Sequence, residues 1–400
     1  MKSNYHLSTQ AIHACVDSNN EHHAITPGIV MSVNHEFSPD TGGFSAQELS
    51  DIGQGPFLYA AWSNPTVKQL EQRLAVLENA EDALATATGM AAISAVFLSL
   101  LKQGDHLVIS DVCYAAVYEF ATQVLPEYGI DVSVVDVSDH DAVLKVITER
   151  TRLVHCESPC NPILRLVDIT GLSRLLKEKN ILLSMDSTFS TPVITKPLDF
   201  GADLVIHSLT KFINGHGDVL GGCILGSSPL IAKIRLRAGA YLGATLPAHS
   251  AWLIMRGMET MYSRVKHMSE SALEIAKWLN AHPRVGGVRY PGLPDHEQFY
   301  LAEQQMRFFG GIIAFQVDDI DLIAQRFAKE STLFYYAFSI GHQRSLAVAL
   351  KTDELDESTY RFNQEQRQRF ERYAGQGLIR LSIGLEASED LIAELVRLLR

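Results

Sequence analysis

Apolar strand-like runs alternate with helical runs along the chain from residue 83 to residue 208. The strand-like runs lie at 83–88, 106–110, 132–137, 153–156, 181–186 and 202–208. Helical patterns separate several of them and end near Leu101, Leu125 and Lys177. Strands joined by crossover helices are typical of a mostly parallel sheet with helices on both faces. The sequence therefore predicts an α/β fold.

The alternation of strand-like and helical runs ends after about residue 260. A helical stretch at 263–279 is followed by Gly-Gly pairs and short strand-like runs, which predicts a smaller C-terminal α+β domain. We predict an N-terminal arm over 1–62, a main domain over 63–260 and a C-terminal domain over 261–400. The polar stretch 350–376 is predicted to be a solvated helix or an excursion from the domain.

Composition excludes several classes of function. The 400 residues carry 34 Lys and Arg against 46 Asp and Glu, a net charge of −12, which disfavours nucleic acid and anionic membranes as partners. The longest apolar stretch, 90–101, is well short of a membrane span. The N-terminus lacks the apolar block of a signal peptide, so we predict a cytoplasmic protein.

Cysteines and histidines give no sign of a disulfide framework or a metal site. The five cysteines are scattered and include no CxxC pair, which fits reduced thiols. No HxxxH or paired Cys/His spacing is present, although His22 and His23 are adjacent in the predicted arm. We therefore predict neither a disulfide nor a bound metal.

Lys211 follows a buried strand at the position where doubly wound sheets bind ligands. The apolar run ends at His207, and Ser208, Thr210 and Lys211 come directly after it. A desolvated lysine has a lowered pKa and can react with an aldehyde, while neighbouring hydroxyls suit a phosphate. A surface lysine in a polar turn is the alternative interpretation.

A second strand-like run ends in Asp186. A carboxylate and an amine in one pocket suit an aldehyde cofactor whose pyridine ring stores electrons. A turn-capping aspartate is the alternative.

Gly89 lies between a strand and a helix, where backbone amides and the helix dipole favour a phosphate. Tyr114, shortly after the run 106–110, could stack on a ring or carry a proton, with core packing as the alternative.

Alternating apolar residues surround Arg380 near the C-terminus. Ile379 and Leu381 fall on one face of a predicted half-buried strand, and Arg380 falls on the other. A planar guanidinium suits an α-carboxylate. An exposed arginine on an edge strand is the alternative.

Several short segments together carry a specific resemblance. They lie at 64–66, 88–90, 103–106, 157–162, 185–189, 207–211, 215–218, 290–293 and 378–386. The sequence resembles the Cys/Met-metabolism family of pyridoxal-phosphate (PLP) enzymes, which includes methionine γ-lyases, cystathionine lyases and cystathionine γ-synthases. The resemblance covers nearly the whole chain. It implies a PLP-dependent fold of type I, with 63–260 as the PLP-binding domain.

The resemblance also implies a role for each matching residue. Lys211 would bind the cofactor covalently and move protons, Asp186 would pair with the ring nitrogen, and Tyr114 would stack on the ring. The residues implied to contact the phosphate or the phenolic oxygen are Gly89, Met90, Ser208, Thr210 and Asn161. Arg380 would bind the substrate carboxylate with help from Ser339. Tyr59 would reach the phosphate of a neighbouring subunit, which implies a homodimer and, commonly in the family, a tetramer.

Three positions depart from the family pattern. Ala61 stands where family members usually have a phosphate-binding arginine, and Ala116 stands where methionine γ-lyases usually have a cysteine. Phe338 replaces a glutamate that is typical of cystathionine enzymes, and an aromatic ring there favours an apolar substrate tail.

We predict a PLP-dependent carbon–sulfur lyase that resembles methionine γ-lyase and releases a 2-oxo acid, ammonia and a thiol. Within this class, cystathionine γ- or β-lyase activity and γ-replacement by a cystathionine γ-synthase remain alternatives. A nicotinamide-dependent oxidoreductase ranks far below because no GxGxxG follows an early strand. A scaffold that has lost catalysis is a further alternative, which Ala61 motivates.

Overall fold

The computed structural model describes residues 5–15, 24–38 and 56–400. Much of the predicted arm, including its Gly-rich segment 51–55, His22 and His23, lies outside the described residues. The arm residues that are described contact the main body. For example, Asn64 Nδ2 donates a hydrogen bond to the carbonyl oxygen of Val30 at 2.9 Å.

A seven-stranded sheet forms the first part of the fold. Its strands are β1 (Asp82–Thr86), β2 (His106–Ser110), β3 (Asp131–Val135), β4 (Thr151–Glu157), β5 (Leu182–Asp186), β6 (Leu204–Ser208) and β7 (Gly222–Gly226). The spatial order is β1-β7-β6-β5-β4-β2-β3, and β7 runs antiparallel to both of its neighbours. The remaining pairs in this sheet are parallel.

A five-stranded sheet forms the C-terminal part. Its strands are β8 (Val285–Arg289), β9 (Ile312–Val317), β10 (Tyr335–Tyr336), β11 (Leu346–Lys351) and β12 (Gly377–Ser382). The order is β10-β11-β12-β9-β8, and only the short β10–β11 pair within this sheet is parallel.

The described helices cover both sheets. They are α1 (Leu7–His13), α2 (Pro65–Glu78), α3 (Gly89–Leu100), α4 (Ala115–Glu119), α5 (His140–Val146), α6 (Ile169–Lys177), α7 (Thr191–Ile194), α8 (Ser228–Arg235), α9 (Ala248–Met258), α10 (Met261–Asn280), α11 (Phe299–Gln305), α12 (Ile320–Glu330), α13 (Thr352–Leu355), α14 (Gln364–Ala374) and α15 (Ser388–Leu398). Within the described ranges, no helix combines the length and the apolar character that crossing a membrane requires.

Alternation along β2 shows that helices pack on both faces of the first sheet. Leu107 and Ile109 share a core with Phe97 of α3, whereas Val108 shares a different core with Leu172 of α6. The prediction of a mostly parallel sheet between helices, with a smaller C-terminal α+β unit, is confirmed. The boundaries at 62/63 and 260/261 remain predictions.

Two local predictions need correction. The half-buried strand predicted around Arg380 is β12, which is buried on both faces. Ile379 packs into the C-terminal core, while Leu378 packs into the core that extends from the first sheet, so neither face meets solvent. The polar stretch 350–376 is also more than a solvated excursion, because Tyr360 and Phe370 within it are buried.

We expect His155 to make stability fall in acid. His155 lies on β4 beside Ser184, and burial lowers its pKa from 6.5 to about 3. Below pH 6.5 the unfolded chain therefore binds a proton that the folded chain does not, and the free energy of unfolding decreases by up to about 1.4 kcal/mol per pH unit. The His155→Gln variant should show a flatter decrease between about pH 6.5 and about pH 4 in urea unfolding.

The exposed His249→Gln variant serves as the control for this experiment. An equally steep decrease in both variants would contradict a role for His155.

Candidate active site

Neighbouring parallel strands bring Asp186 and Lys211 to one edge of the first sheet. Asp186 ends β5, and its register partner on β6 is Ile206. Lys211 follows the end of β6, where its N–H donates to the carbonyl oxygen of Ser208 at 3.2 Å. The backbone N–H of Thr188 donates to Asp186 Oδ1 at 2.9 Å, but burial dominates and raises the pKa of this carboxyl. The ends of two neighbouring strands thus bring an amine and a carboxyl to one edge of the sheet.

The amine of Lys211 is held by a residue from the far part of the chain. Lys211 Nζ donates a hydrogen bond to Ser339 Oγ at 2.8 Å. Burial, with a smaller contribution from the positive charge of Arg380, lowers the pKa of Lys211. Ser339 has a φ of 130°, which an L-residue adopts only at a strained position. The amine is therefore desolvated and oriented.

The start of α3 faces Ser208 across a very short gap. Thr88 caps this helix, and its Oγ1 accepts from the N–H of Ala91 at 3.0 Å. A Cβ built on Gly89 would lie 3.0 Å from the Cβ of Ser208 and 3.2 Å from its Oγ. The first N–H groups of a helix have no partner within the helix and attract anions. Met90 continues this first turn, so its N–H belongs to the same set.

Thr210 lies beside this anion-binding arrangement, and its hydroxyl is occupied. Its Oγ1 donates to the carbonyl oxygen of Gly221 at 3.2 Å and accepts from the N–H of Gly221 at 3.0 Å. The threonine thus fixes the turn that follows Lys211.

Arg380 joins the two sheets at the site. It is 7% exposed and lies on β12, from which Nη1 donates to Asn161 Oδ1 at 2.6 Å and Nη2 donates to the carbonyl oxygen of Ser339 at 3.3 Å. Burial lowers the pKa of Arg380 to about 10, while Glu157 and Tyr360 act in the opposite direction. A buried guanidinium with no ion pair at hydrogen-bonding distance in the described residues is suited to an anionic ligand.

Tyr114 precedes α4, and its side chain is about half exposed. The backbone N–H of Tyr114 donates to Glu157 Oε2 at 3.0 Å, and that of Asn161 donates to Oε1 at 3.1 Å. Glu157 is buried in register with Asp186, and burial raises its pKa well above the usual range. No role is predicted for Glu157 from the sequence, although its position at the end of β4 is a signal that identifies it as a candidate site residue.

Two of the predicted site residues, Phe338 and Tyr59, are exposed in this chain. Phe338 is 80% exposed next to Ser339. Tyr59 is 44% exposed and pairs with Asn34 in an isolated bridge of the arm. Ala61 accepts a hydrogen bond at its carbonyl oxygen from Thr245 Oγ1 at 3.1 Å.

A cavity of about 270 Å³ opens on the Ser339 side of Lys211. Its lining residues are Thr210, Gly217, Asp218, Val219, Leu220, Ser339, Ile340 and His342. Ser339 lines the cavity and also accepts the hydrogen bond from Lys211, so the cavity and the amine share this residue. The cavity combines apolar walls with one carboxylate and one imidazole.

Comparison with known proteins identifies the family. The sequence model of the Cys/Met metabolism PLP-dependent enzymes matches residues 8–400. The chain belongs to this family. It is 37% identical to a canavanine γ-lyase of Rhizobium leguminosarum bv. trifolii and 36% identical to an L-methionine γ-lyase of Pseudomonas deceptionensis. Each alignment covers 98% of this chain and 96% of the relative.

A solved structure shows the same fold. The cystathionine γ-synthase of Xanthomonas oryzae pv. oryzae, in complex with aminoacrylate and cysteine, superimposes with a TM-score of 0.88 at 32% identity. The superposition covers 99% of this chain and 98% of that one. The predictions of the family, the type I fold, the PLP cofactor and the PLP-dependent enzyme class are therefore confirmed.

Proposed function

We propose that this PLP enzyme eliminates the γ-sulfur substituent of an L-amino acid as a thiol, as a methionine γ-lyase does, and that water hydrolyses the remaining enamine to a 2-oxo acid and ammonia. One observation carries the proposal: Ser339 contacts both the Lys211 amine and the Arg380 guanidinium. An amine for proton transfer and a cation for an α-carboxylate therefore lie on either side of one residue. When bound, PLP supplies an electron sink that makes the α proton of the substrate acidic.

The residues present fit the cofactor. Lys211 would hold it covalently, and Asp186 would hold the proton on its ring nitrogen. Gly89, Met90, Ser208 and Thr210 would surround its phosphate, and Asn161 would lie near its phenolic oxygen. The absence of a Cβ at residue 89 supports this assignment, because a side chain there would press against Ser208.

The chain's own groups can carry out the proton transfers. Lys211, with its lowered pKa, is a base that takes the α proton. Loss of a second proton, from the β carbon, then allows the γ substituent to leave. Arg380 binds and orients the α-carboxylate. Tyr114 would stack on the cofactor ring and give a proton to the departing sulfur; about half of its surface is exposed and therefore accessible to a ligand.

The cavity suits an apolar tail better than a cationic one. Val219, Leu220 and Ile340 contribute apolar walls, and Phe338 adds an exposed ring next to Ser339. A thioether fits these walls, which supports methionine over cystathionine.

A second candidate substrate is an amino acid with a guanidinooxy tail. Two observations favour it: Asp218 lines the cavity, and canavanine γ-lyases are among the relatives. A carboxylate can pair with a guanidinooxy cation. The leaving group would then be hydroxyguanidine, and the γ-elimination would otherwise be the same.

Product analysis with the holoenzyme tests these proposals. We expect L-methionine to give a 2-oxo acid, ammonia and methanethiol, with L-cystathionine much slower. An Asp218→Asn variant should retain methionine turnover and lose turnover of L-canavanine if Asp218 binds the guanidinooxy tail. Formation of a replacement product only when a second thiol is added would instead support γ-synthase activity. Absence of any 2-oxo acid from all three amino acids would overturn the lyase proposal.

We further propose that the enzyme is a cytoplasmic homo-oligomer in which Tyr59 reaches the phosphate of the neighbouring subunit. The described arm exposes Ile25, Met31, Val33 and Phe37, and exposed apolar patches of this kind mark protein interfaces. The scattered cysteines support a reducing compartment. Light scattering of the holoenzyme should show at least a dimer, and Tyr59→Phe should lower cofactor affinity; a monomer would contradict this.

We expect a Gly89→Val variant to bind PLP about tenfold more weakly. Its Cβ would lie 3.0 Å from that of Ser208, so Ser208 or the start of α3 must move away from the phosphate. A loss of about 1.4 kcal/mol in the free energy of PLP binding corresponds to a tenfold higher dissociation constant. Absorbance titration of the apoprotein measures the dissociation constant.

Gly286→Val is the matched control, because a Cβ there approaches no atom more closely than 3.7 Å. Equal affinities in the two variants would contradict a phosphate site at residue 89.

A further inference from the structure

The segment between β11 and β12, which we call the excursion, covers residues 352–376. It is braced internally by Arg367, which donates to Asp356 Oδ2 at 2.9 Å and Glu371 Oε1 at 2.8 Å and also pairs with Asp353. The excursion leads directly into β12, which carries Arg380. It is therefore a folded unit at the border of the site.

The excursion is bonded to the helix that follows Tyr114. Tyr360 is 3% exposed, and its hydroxyl donates to the carbonyl oxygen of Cys113 at 2.6 Å. In return, the hydroxyl of Tyr118 donates to the carbonyl oxygen of Tyr360 at 2.8 Å. The two rings meet edge to face with centroids 4.9 Å apart. These reciprocal bonds join the excursion to α4.

Both polar groups of the peptide unit between Cys113 and Tyr114 are bound by buried side chains. The carbonyl oxygen accepts from Tyr360, and the N–H donates to Glu157 Oε2 at 3.0 Å. The next peptide unit is also held, because the carbonyl oxygen of Tyr114 accepts from the N–H of Val117 at 2.9 Å. With the planar peptide units on both sides of its Cα held, the direction of the Cα–Cβ bond of Tyr114 is restrained. Because the Tyr114 side chain is itself half exposed, this backbone clamp carries much of its positioning.

We propose that Tyr360 is a positioning residue for Tyr114, and that the excursion acts on the site through this residue. The inference deepens the proposed function and rests on it, since it assumes that Tyr114 stacks on the cofactor and serves the leaving group. Tyr360 touches neither substrate nor cofactor in this assignment. It acts through the Cys113–Tyr114 peptide.

The Tyr360→Phe variant removes one hydroxyl and leaves the buried carbonyl of Cys113 without its donor. We expect kcat to fall about tenfold with little change in KM, as loss of one buried hydrogen bond would produce. The induced circular dichroism of the bound cofactor should weaken, because it reports how the ring of Tyr114 lies against it.

Tyr290→Phe is the matched control. Tyr290 is also fully buried, and its hydroxyl donates to the carbonyl oxygens of Ser269 and Gly310 at 3.1 and 2.9 Å, away from the site. This variant should lose stability while keeping kcat and the circular dichroism of the holoenzyme. Equal effects of the two variants on kcat and dichroism would reduce Tyr360 to a structural residue and overturn the proposal.

A double variant and an exchange measurement complete the test. In a Tyr114→Phe background, Tyr360→Phe should lower kcat no further; fully multiplicative effects would contradict action through Tyr114. In the apoprotein, amide hydrogen exchange over 111–118 should be faster in Tyr360→Phe than in Tyr290→Phe. If the wild type turns over no sulfur amino acid, the proposed function fails, but the exchange and dichroism still decide whether Tyr360 positions Tyr114.

Discussion

Replacing Lys211 with alanine is expected to abolish the visible absorption band that wild-type protein forms with added PLP, and to lower turnover at least about 10³-fold. The amine is both the covalent anchor of the cofactor and the base for the α proton in the proposed mechanism. No other lysine in the described residues donates to Ser339. Visible spectra and steady-state product formation, measured at saturating PLP, check the expectation.

Lys196→Ala is a suitable control for this experiment. Burial also lowers the pKa of Lys196, but its Nζ donates to Asn79 Oδ1 at 3.0 Å, away from Ser339. We expect this variant to keep the band and the turnover. A Lys211→Ala protein that still formed the wild-type band would show that another amine holds the cofactor.

Replacing Arg380 with alanine is expected to lower kcat/KM about 10²- to 10³-fold, chiefly through a higher KM. Losing one partner of a buried charge pair costs about 2–5 kcal/mol, and here the other partner is the substrate carboxylate. The cofactor band should persist, because Arg380 makes its described contacts with Asn161 and Ser339 rather than with Lys211. Steady-state kinetics report the loss of substrate binding, and a visible spectrum shows whether the cofactor is still bound.

Free guanidinium provides the control for the Arg380 variant. It can occupy the space left by the side chain, so low concentrations should restore part of kcat/KM in Arg380→Ala and leave the wild type unchanged. The Arg380→Lys variant keeps the charge but loses the planar pair of donors, so its kcat/KM should lie between those of the wild type and Arg380→Ala. An unchanged KM in Arg380→Ala would mean that the carboxylate binds elsewhere.

Part of the candidate site follows from the sequence alone. Asp186 and Lys211 each come directly after an apolar run, and the carboxyl ends of neighbouring parallel strands meet at one edge. A pattern of strands and helices is therefore enough to predict that these two residues lie together. The start of α3 was predictable for the same reason, since a helix that follows a strand begins at that edge.

The contacts around Arg380 could not be derived from local patterns. They join β12 to Asn161 across 219 residues and to Ser339 across 41. Their formation depends on how the second sheet packs against the first, which no periodicity encodes. For the same reason, β12 was expected to have a solvent-facing side, whereas Leu378 packs into the core that reaches from the first sheet.

Tyr360 shows a second limit of sequence reasoning. It lies in a stretch whose charged residues, such as Arg367, indicate exposure, and one buried ring among them leaves no periodic signal. Its hydrogen-bond acceptor, the carbonyl oxygen of Cys113, is a backbone atom 247 residues away in the sequence. Bonds of this kind depend only weakly on residue identity at one end, so motifs do not record them.

The origin of Lys211 and Arg380 in different sheets has a consequence for how such an enzyme can change over evolutionary time. Lys211 follows a strand of the first sheet, Arg380 lies in the second, and Ser339 is the point at which they meet. The cavity beside this junction is lined from both parts of the chain, by Asp218 and Leu220 on one side and by Ile340 and His342 on the other. Substitutions at these positions can redirect the choice of side chain, while Lys211 and Arg380, which serve groups common to all α-amino acids, are inherited unaltered.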